Sequence, residues 1–210
     1  MIDDFDLLPR REPFDPFGVM LFKALQVLAF LFFIALLAIA PEADHGKIDP
    51  KAEFLITVSW PDNHPDDIDT FVQDPLGNMV WYRRREAGFM VLDRDDRGGA
   101  NDFIMVNGRK VKSPIRQETV SIRGIVAGEY TVDVYHFAAL TGQKVPVSVR
   151  VEKLNPIVQV VHYDTIELDH GGMEATAVRF TIDDAGTVVA VDRTQKSLLQ
   201  TLYNAKRNAG

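Results

Sequence analysis

Oxygen-bearing side chains are concentrated in two short segments of this 210-residue sequence. The first segment, residues 59–69, reads SWPDNHPDDID, and the second, residues 92–102, reads LDRDDRGGAND. Calcium takes about six to eight oxygen ligands in flexible geometry, so carboxylates grouped on loops suit this cation. If strand pairing brings the two loops together, they can form one site. The candidate calcium ligands are Asp67, Asp69, Asp93, Asp95, Asp96 and Asn101.

The second acidic segment does not follow the EF-hand pattern. When Asp93 is counted as position 1, Arg97 falls at position 5 and Ile104 replaces the glutamate of position 12. Aspartates also form hydrogen bonds with the backbone of their own turns and keep loops soluble, which is the structural alternative to a metal site. Both interpretations stay open from the sequence.

The segment WYRRR, residues 81–85, combines aromatic and basic side chains. Such a patch could bind phosphate, anionic lipid or glycan. A strand that ends in a solvated hairpin is the structural alternative, because three arginines in acidic surroundings create no large basic field. We take Trp81, Arg83, Arg84 and Arg85 as candidate partner-binding residues.

Known signatures of catalysis are missing from the sequence. There is no cysteine, and the five histidines are not spaced for a metalloprotease helix. No phosphate-binding loop, dinucleotide fingerprint or nucleophile elbow occurs. The net charge of −7 argues against a nucleic-acid interface held by phosphate contacts. We therefore expect a protein that is not an enzyme, binds no nucleic acid and has calcium as its one candidate cofactor.

Residues 19–40 read VMLFKALQVLAFLFFIALLAIA and predict a transmembrane helix. A helix of this length spans roughly 33 Å, against about 30 Å of hydrocarbon. A cleaved signal peptide is the alternative, but Pro41 follows directly after the small residues at 38–40 and the apolar run is long for such a peptide. We favour an uncleaved, single-pass anchor inserted in the membrane.

The charges that flank this helix favour a cytoplasmic N-terminus. Arg10, Arg11 and Lys23 lie on its N-terminal side, although Lys47 and Lys51 follow closely on the other. The bulk of the chain is then expected in the periplasm, behind the inner membrane.

Two polar residues lie within the apolar run, on one face of the helix. Gln26 is a candidate contact for a partner helix, because intramembrane amides find hydrogen-bond partners. The alternative is that Lys23 reaches the headgroups and Gln26 is tolerated. No acidic residue lies in the span, so the helix is not expected to carry protons.

After the anchor, apolar and polar residues alternate with a period of two. The segment EFLITVSW, residues 53–60, is typical, and similar short runs follow between turn signals such as Asn107-Gly108. Many short strands without intervening helices predict an all-β, antiparallel β-sandwich of the jelly-roll or Ig-like class.

The sequence thus divides into five predicted segments. They are a short cytoplasmic tail at 1–18, the transmembrane helix at 19–40, a stalk at 41–52, the β-sandwich domain at 53–192, and an amphipathic helix with a tail at 193–210. Thr194 is the expected cap of this last helix. Its apolar stripe is expected to pack on the sandwich, with a partner surface as the alternative. The stripe consists of Leu198, Leu199, Leu202 and Tyr203.

Several motifs between residues 54 and 191 form a recognisable set. They are the strand ending at Trp60, DID at 67–69, DPLGN at 74–78, LDRDD at 92–96, AGEYTV at 127–132 and VPVSV at 145–149. In these motifs the chain resembles the bacterial YfaP-like β-sandwich domain, a family without an agreed activity. The resemblance implies a β-sandwich and an envelope-side binding or accessory role.

We expect a single-pass, membrane-anchored, periplasm-facing β-sandwich that acts as a binding or accessory subunit of an envelope complex. Its partner is expected to be another protein or a second copy of the chain. One alternative is a calcium-dependent binding protein or enzyme that uses the two acidic loops. Another is a structural subunit of a membrane motor or transport assembly.

Overall fold

The structure, a computed structural model, describes residues 15–38, 52–99 and 103–208. The chain divides into two units, Met1–Asp49 and Pro50–Gly210. The secondary structure runs in the order α1 (Pro16–Ala38), β1 (Phe54–Trp60), β2 (Asp67–Gln73), β3 (Met79–Val80), β4 (Glu86–Ala87), β5 (Met90–Arg94), β6 (Phe103–Val106), β7 (Arg109–Lys112), β8 (Arg116–Ile122), β9 (Gly128–Ala138), β10 (Val145–Lys153), β11 (Gln159–Leu168), β12 (Glu174–Ile182), β13 (Val188–Asp192) and α2 (Leu198–Asn208).

The first unit contains α1, which begins at Pro16 rather than at Val19. The Asp15 carboxylate accepts a hydrogen bond from the Phe17 N–H at 3.0 Å, and proline suits the first position because its missing N–H has no helical partner there. Residues Pro16–Ala35 have a mean hydropathy of 2.2 and are apolar enough to cross a membrane, a property that signal sequences share. Residues 39–41 of the cleavage pattern and most of the predicted stalk lie outside the described residues.

The second unit contains two antiparallel sheets and a separate hairpin. The first sheet has the strand order β11-β10-β1-β8-β5-β4, and the second has the order β13-β12-β9-β2-β3. Strands β6 and β7 pair only with each other in the described chain. The predicted all-β class, with one N-terminal apolar helix and one short C-terminal helix, is confirmed.

The apolar side chains of the period-two pattern fill the space between the two sheets. In β1, Phe54, Ile56 and Val58 are fully buried, while the intervening Leu55 and Ser59 are half-buried. Matching residues of β8, β9, β10 and β12 belong to the same core. Each such side chain contributes about 1.5–3 kcal/mol by leaving water, so the core gives a rigid frame on which loops can hold fixed positions.

The C-terminal helix α2 starts after Ser197, and the expectation that Thr194 caps it is wrong. The Ser197 hydroxyl accepts a hydrogen bond from the Gln200 N–H at 3.0 Å, as a helix cap does. The Thr194 N–H instead donates to the Asp192 carboxylate at 2.8 Å, within the turn that follows β13.

The apolar stripe of α2 packs on the outer face of the second sheet. Leu198 is fully buried in a small cluster with Phe71 and Met79. Leu199 and Leu202 pack against that cluster. Tyr203, in contrast, stays two-thirds exposed. Most of the apolar stripe is therefore packed against the sandwich.

Candidate metal centre

Three carboxylates from three different elements meet at one end of the sandwich. Asp69 lies in β2 of the second sheet, Glu118 lies in β8 of the first sheet, and Asp95 follows β5. One oxygen from each lies within 4.8 Å of the other two. Asp67 lines a cavity together with Asp69 and Asp95. We call Asp67, Asp69, Asp95 and Glu118 the acidic cluster.

The alternation of β2 brings its two aspartates to the cavity. Ile68 and Val72 belong to the central core, so the odd-numbered residues of β2 face away from it. Strand β3 pairs only with Val72 and Gln73 among the described residues. The edge of β2 beside Asp69 is therefore open to a side chain from the other sheet.

Glu118 fills that open edge. Its strand pairs with β1 so that Glu118 lies opposite Val58, in line with the buried residues Val120 and Ile122. The side chain is 1% exposed, and one carboxylate oxygen accepts a hydrogen bond from the Thr70 N–H at 2.7 Å. The other oxygen, Oε1, is buried and has no hydrogen-bond partner in the described chain.

Asp95 is held near β2 by a close contact between the two acidic segments. Gly98 has φ +59°, and a Cβ there would lie 2.5 Å from the Pro65 carbonyl oxygen and 2.6 Å from that of Asp66. The Gly99 N–H donates to the same Pro65 oxygen at 3.2 Å. Only glycine combines this φ with so close an approach, so Gly98 fastens one loop to the other.

Asp66 anchors the first loop and does not face the cavity. Its carboxylate accepts hydrogen bonds from the Thr141 N–H and hydroxyl, both at 2.9 Å, and lies 3.0 Å from Nε2 of the buried His136. Burial raises its pKa, but the bonds from Thr141 and His136 outweigh this effect and the pKa is lowered. Asp66 therefore supports the loop as an ionised, fully bonded group.

Three members of the acidic cluster, Asp67, Asp69 and Glu118, differ from Asp66 because their pKa values are raised. Burial, together with the charges of Asp95 and Asp96, raises the pKa of Asp67 to about 6. Burial and the charges of Asp67 and Asp95 raise the pKa of Asp69 to about 7. Burial also raises the pKa of Glu118 well above its usual value. Burial and the repulsion between neighbouring carboxylates therefore both oppose ionisation of these groups.

Unpaired oxygens accompany these raised pKa values. Asp69 is 4% exposed, and its Oδ2 has no hydrogen-bond partner among the residues that the structure describes. The same holds for Asp67 Oδ1 and Glu118 Oε1 within the described ranges. Buried carboxylate oxygens without donors are costly, and a cation that these oxygens ligate would lower that cost.

The cavity beside the cluster has a volume of about 290 Å³. Its lining residues are Asp67, Asp69, Tyr82, Asp95, Arg97 and Phe137. Arg97 is the nearby cation, with its Nε 3.7 Å from an Asp95 oxygen, and its side chain is mostly exposed. The space accommodates a cation together with several water ligands.

No protein-family model, curated protein or solved structure matches the chain. The chemistry of the site is therefore inferred from its donor atoms. They are hard oxygen donors, and calcium, magnesium and related cations prefer such donors.

The other predicted ligands lie elsewhere. Asp93 forms an ion pair with Arg123 at 2.7 Å on the surface. The Asp96 carboxylate accepts hydrogen bonds from the Arg94 guanidinium at 3.2 Å and from the Gly98 N–H at 3.1 Å. Asp96 therefore stabilises the loop and does not line the cavity. Asn101 lies outside the described residues.

Glu118 was missed at the sequence level although the pattern contains a signal for it. In ETVSI, residues 118–122, the apolar positions are Val120 and Ile122, and Glu118 precedes them with the same period. A charged residue at an inward-facing position of a strand needs a partner.

The aromatic–basic segment forms a second, shallower site. Trp81 stacks on Phe71 with centroids 5.8 Å apart, and the Arg83 guanidinium lies 5.3 Å from the Tyr82 ring. Lys206 of α2 lies 5.7 Å from the Trp81 ring. Together they border a groove of about 470 Å³ between this segment and α2.

The remaining predicted partner contacts are divided between the two units. The Arg85 guanidinium donates to the Leu92 carbonyl oxygen at 3.1 Å, and the Arg84 backbone pairs with Trp81, so neither lines the groove. In α1, the Lys23 ammonium donates to the Gln26 side chain at 3.4 Å.

Proposed function

We propose that this chain is a membrane-anchored β-sandwich that binds calcium through the acidic cluster. The observation that carries the proposal is that Asp69, Asp95 and Glu118, which come from both sheets, each place a carboxylate oxygen within 4.8 Å of the other two. Asp69 and Glu118 also each have a buried oxygen without a hydrogen-bond partner among the described residues. Folding alone does not favour such an arrangement, because each unpaired charge loses its hydration without compensation.

Calcium suits this cluster better than magnesium. Calcium holds its oxygen ligands at about 2.3–2.6 Å, so carboxylate oxygens that lie within 4.8 Å of one another can share one ion. Magnesium holds its ligands at about 2.0–2.1 Å in strict octahedral geometry, which three separate elements do not readily supply. Irregular positions and several waters are compatible with calcium.

The experiment is a calcium titration of the full chain in detergent micelles after treatment with EDTA. Calorimetry is expected to show one site, and Tb³⁺ bound there is expected to luminesce when Tyr82, which lines the cavity, is excited. At a calcium concentration of about 100 times Kd, the expected stabilisation is about 2.7 kcal/mol. A protein whose thermal midpoint is the same in calcium and in EDTA contradicts the proposal.

Matched variants separate the cluster from general acidity. Asp69→Asn keeps the shape of a ligand and removes its charge, so calcium binding is expected to be lost. Asp93→Asn removes an equal charge from the neighbouring loop, where Asp93 pairs with Arg123. This control is expected to bind calcium as the unaltered chain does.

We also propose that α1 is an uncleaved anchor in the inner membrane and that the sandwich faces the periplasm. The length and hydropathy of Pro16–Ala35 and the arginines at positions 10 and 11 support this topology. The chain has no cysteine, so Leu140→Cys introduces a single thiol at a position that is 73% exposed. Labelling of this thiol shows on which side of the membrane the sandwich lies. Labelling of whole cells by a membrane-impermeant thiol reagent is the expected result.

An accessory role in an envelope complex is the second candidate function, and the groove beside Trp81 favours it. Arg83 and Lys206 place cationic groups near an aromatic surface that is open to a partner. Trp81→Ala is expected to release the partner when complexes are purified from native membranes, whereas Arg84→Ala is expected to retain it. The YfaP-like resemblance agrees with such a role and stays a prediction.

A further inference from the structure

The hairpin of residues 103–112 exposes apolar surface on both of its faces. Strands β6 and β7 are joined by Asn107 and Gly108, which have φ of 48° and 77°, as a tight two-residue turn requires. All ten residues are exposed. The large apolar ones, at 43% to 68% exposure, are Phe103, Ile104, Met105, Val106 and Val111.

The register of the hairpin places apolar side chains on both faces of the ribbon. Phe103 lies opposite Lys112 and Met105 lies opposite Lys110, so these four side chains share one face. Ile104, Val106, Val111 and Arg109 share the other face. Each face therefore combines apolar side chains with at least one cation.

The hairpin also differs in charge from the rest of the chain. Arg109, Lys110 and Lys112 are its charged residues, and none of the ten is acidic, in a chain of net charge −7. The Lys110 ammonium lies 4.0 Å from the centre of the Phe103 ring, so its stem lies along apolar surface. Long cationic side chains of this kind can reach phosphates while their stems stay in an apolar layer.

We propose that residues 103–112 insert into the headgroup region of an anionic lipid bilayer. A protein partner would cover one face of a two-stranded ribbon and leave the apolar side chains of the other face in water. Immersion in the interface covers both faces at once. Four residues of a strand extend about 13 Å, which is enough to reach the acyl boundary about 5–10 Å deep.

The positive charge of the hairpin favours anionic lipids over zwitterionic ones. Three cations without a counter-ion on the ribbon match the negative surface of phosphatidylglycerol bilayers and not a zwitterionic surface. The membrane anchor proposed above for α1, whose residues Pro16–Ala35 are apolar enough to cross a membrane, would tether the chain to a bilayer, and this step rests on that proposal. An acidic protein surface matches the charge but leaves one apolar face uncovered.

The test uses the full chain in nanodiscs that contain either phosphatidylglycerol with phosphatidylcholine or phosphatidylcholine alone. Because the chain has no cysteine, Met105→Cys supplies one site for an environment-sensitive fluorophore. Leu76→Cys, 73% exposed in the turn before β3, is the matched control. We expect a blue shift and quenching by spin-labelled lipid at position 105 in anionic discs, and neither at position 76.

Charge reversal provides the second arm of the test. Adding Lys110→Glu and Lys112→Glu to the position-105 label is expected to reduce the inserted population about fivefold for each basic residue lost. A label at 105 that stays as accessible to water as the label at 76 overturns the proposal. So does a shift that appears in detergent and grows with protein concentration, because that result indicates a second copy of the chain.

The outcome is independent of the calcium site. Calcium titration of the same labelled protein shows whether the acidic cluster is intact and whether the variant is folded. If calcium binds and the label stays in water, the hairpin proposal fails while the proposed function stands.

Discussion

The acidic cluster and the hairpin of residues 103–112 depart from ordinary folding in opposite directions. The cluster buries charge: Asp69 and Glu118 are almost inaccessible and have unpaired oxygens within the described chain. The hairpin exposes apolar surface, with Met105 at 68%. Neither departure lowers the free energy of the isolated chain, so each indicates something that the chain binds.

The two regions also differ in how firmly they are held. The cluster is fixed by both sheets and by the contact of Gly98 with the Pro65–Asp66 backbone. In the described part of the chain, β6 and β7 pair only with each other, and all ten residues of the hairpin are exposed. A preformed site suits a small ion, and an exposed ribbon suits a fluid surface.

The largest loss of stability is expected from Gly98→Ala, for which Gly108→Ala is the matched control. Gly98→Ala adds a Cβ 2.5 Å from the Pro65 oxygen at φ +59°. Strain of about 1–2 kcal/mol and overpacking of about 1–3 kcal/mol should lower the free energy of unfolding together. The displaced Asp95 should also weaken calcium binding. Denaturant unfolding and calorimetry measure the two effects.

Gly108→Ala in the hairpin turn is the control for this comparison. Its φ of +77° gives a similar backbone penalty, but no atom lies within 4 Å of the added Cβ. The loss is expected to be about 1–2 kcal/mol, with calcium affinity unchanged. If both substitutions lowered the free energy of unfolding by the same amount, the contact between the acidic loops would not contribute to stability.

Glu118→Gln is expected to change stability in opposite directions with and without calcium. The amide oxygen can still accept the Thr70 N–H, and the substitution removes a carboxyl group whose ionisation burial disfavours. The calcium-free protein should therefore unfold at the same or a higher temperature. The calcium-dependent stabilisation, about 2.7 kcal/mol at about 100 times Kd, should disappear. Destabilisation in both conditions would indicate a purely structural glutamate.

The calcium-free protein is expected to lose stability as pH rises from about 4 to 8. The pKa values of Asp67 and Asp69, about 6 and 7, lie above the ordinary value of 3.8, so between these values the folded state binds more protons than the unfolded state. Stability is then full below the ordinary pKa and falls as pH passes the folded pKa values. The slope is at most about 1.4 kcal/mol per pH unit for each extra proton.

Calcium should reverse this pH trend. The cation requires ionised carboxylates, so its affinity rises over the pH range in which the free protein weakens. Thermal midpoints measured from pH 4.5 to 8, in EDTA and in calcium, should therefore diverge as pH rises. Parallel curves would contradict a cation at the acidic cluster.

Much of the fold could be predicted because the core follows a simple alternation. Strands such as β1 and β10 place an apolar residue at every second position, which predicts their buried faces directly. Strand β7 was not predicted, because its sequence RKVK lacks an apolar face and its pairing depends on β6. The turn at Asn107-Gly108 was the available signal.

The site could be predicted only in part, since its residues come from distant strands. Asp95 and Asp93 look equivalent in sequence, but β5 shifts register between Leu92 and Arg94, and this irregularity separates their environments. Glu118 is distant in sequence from both acidic loops and belongs to the other sheet from Asp69. Sheet packing, which local patterns do not encode, brings them together.

The smallest expected effect is that of polar substitutions in the hairpin on stability. Ile104→Ser with Val111→Ser removes two exposed apolar side chains from one face, and the free energy of unfolding should change by less than about 0.5 kcal/mol. Ile56→Ser in the core should cost several times more, because that side chain is fully buried. Calcium affinity should stay the same in the hairpin variant while the lipid contact at Met105 weakens. A large loss of stability would mean that the hairpin packs on the sandwich, and its exposed apolar residues would then need no lipid.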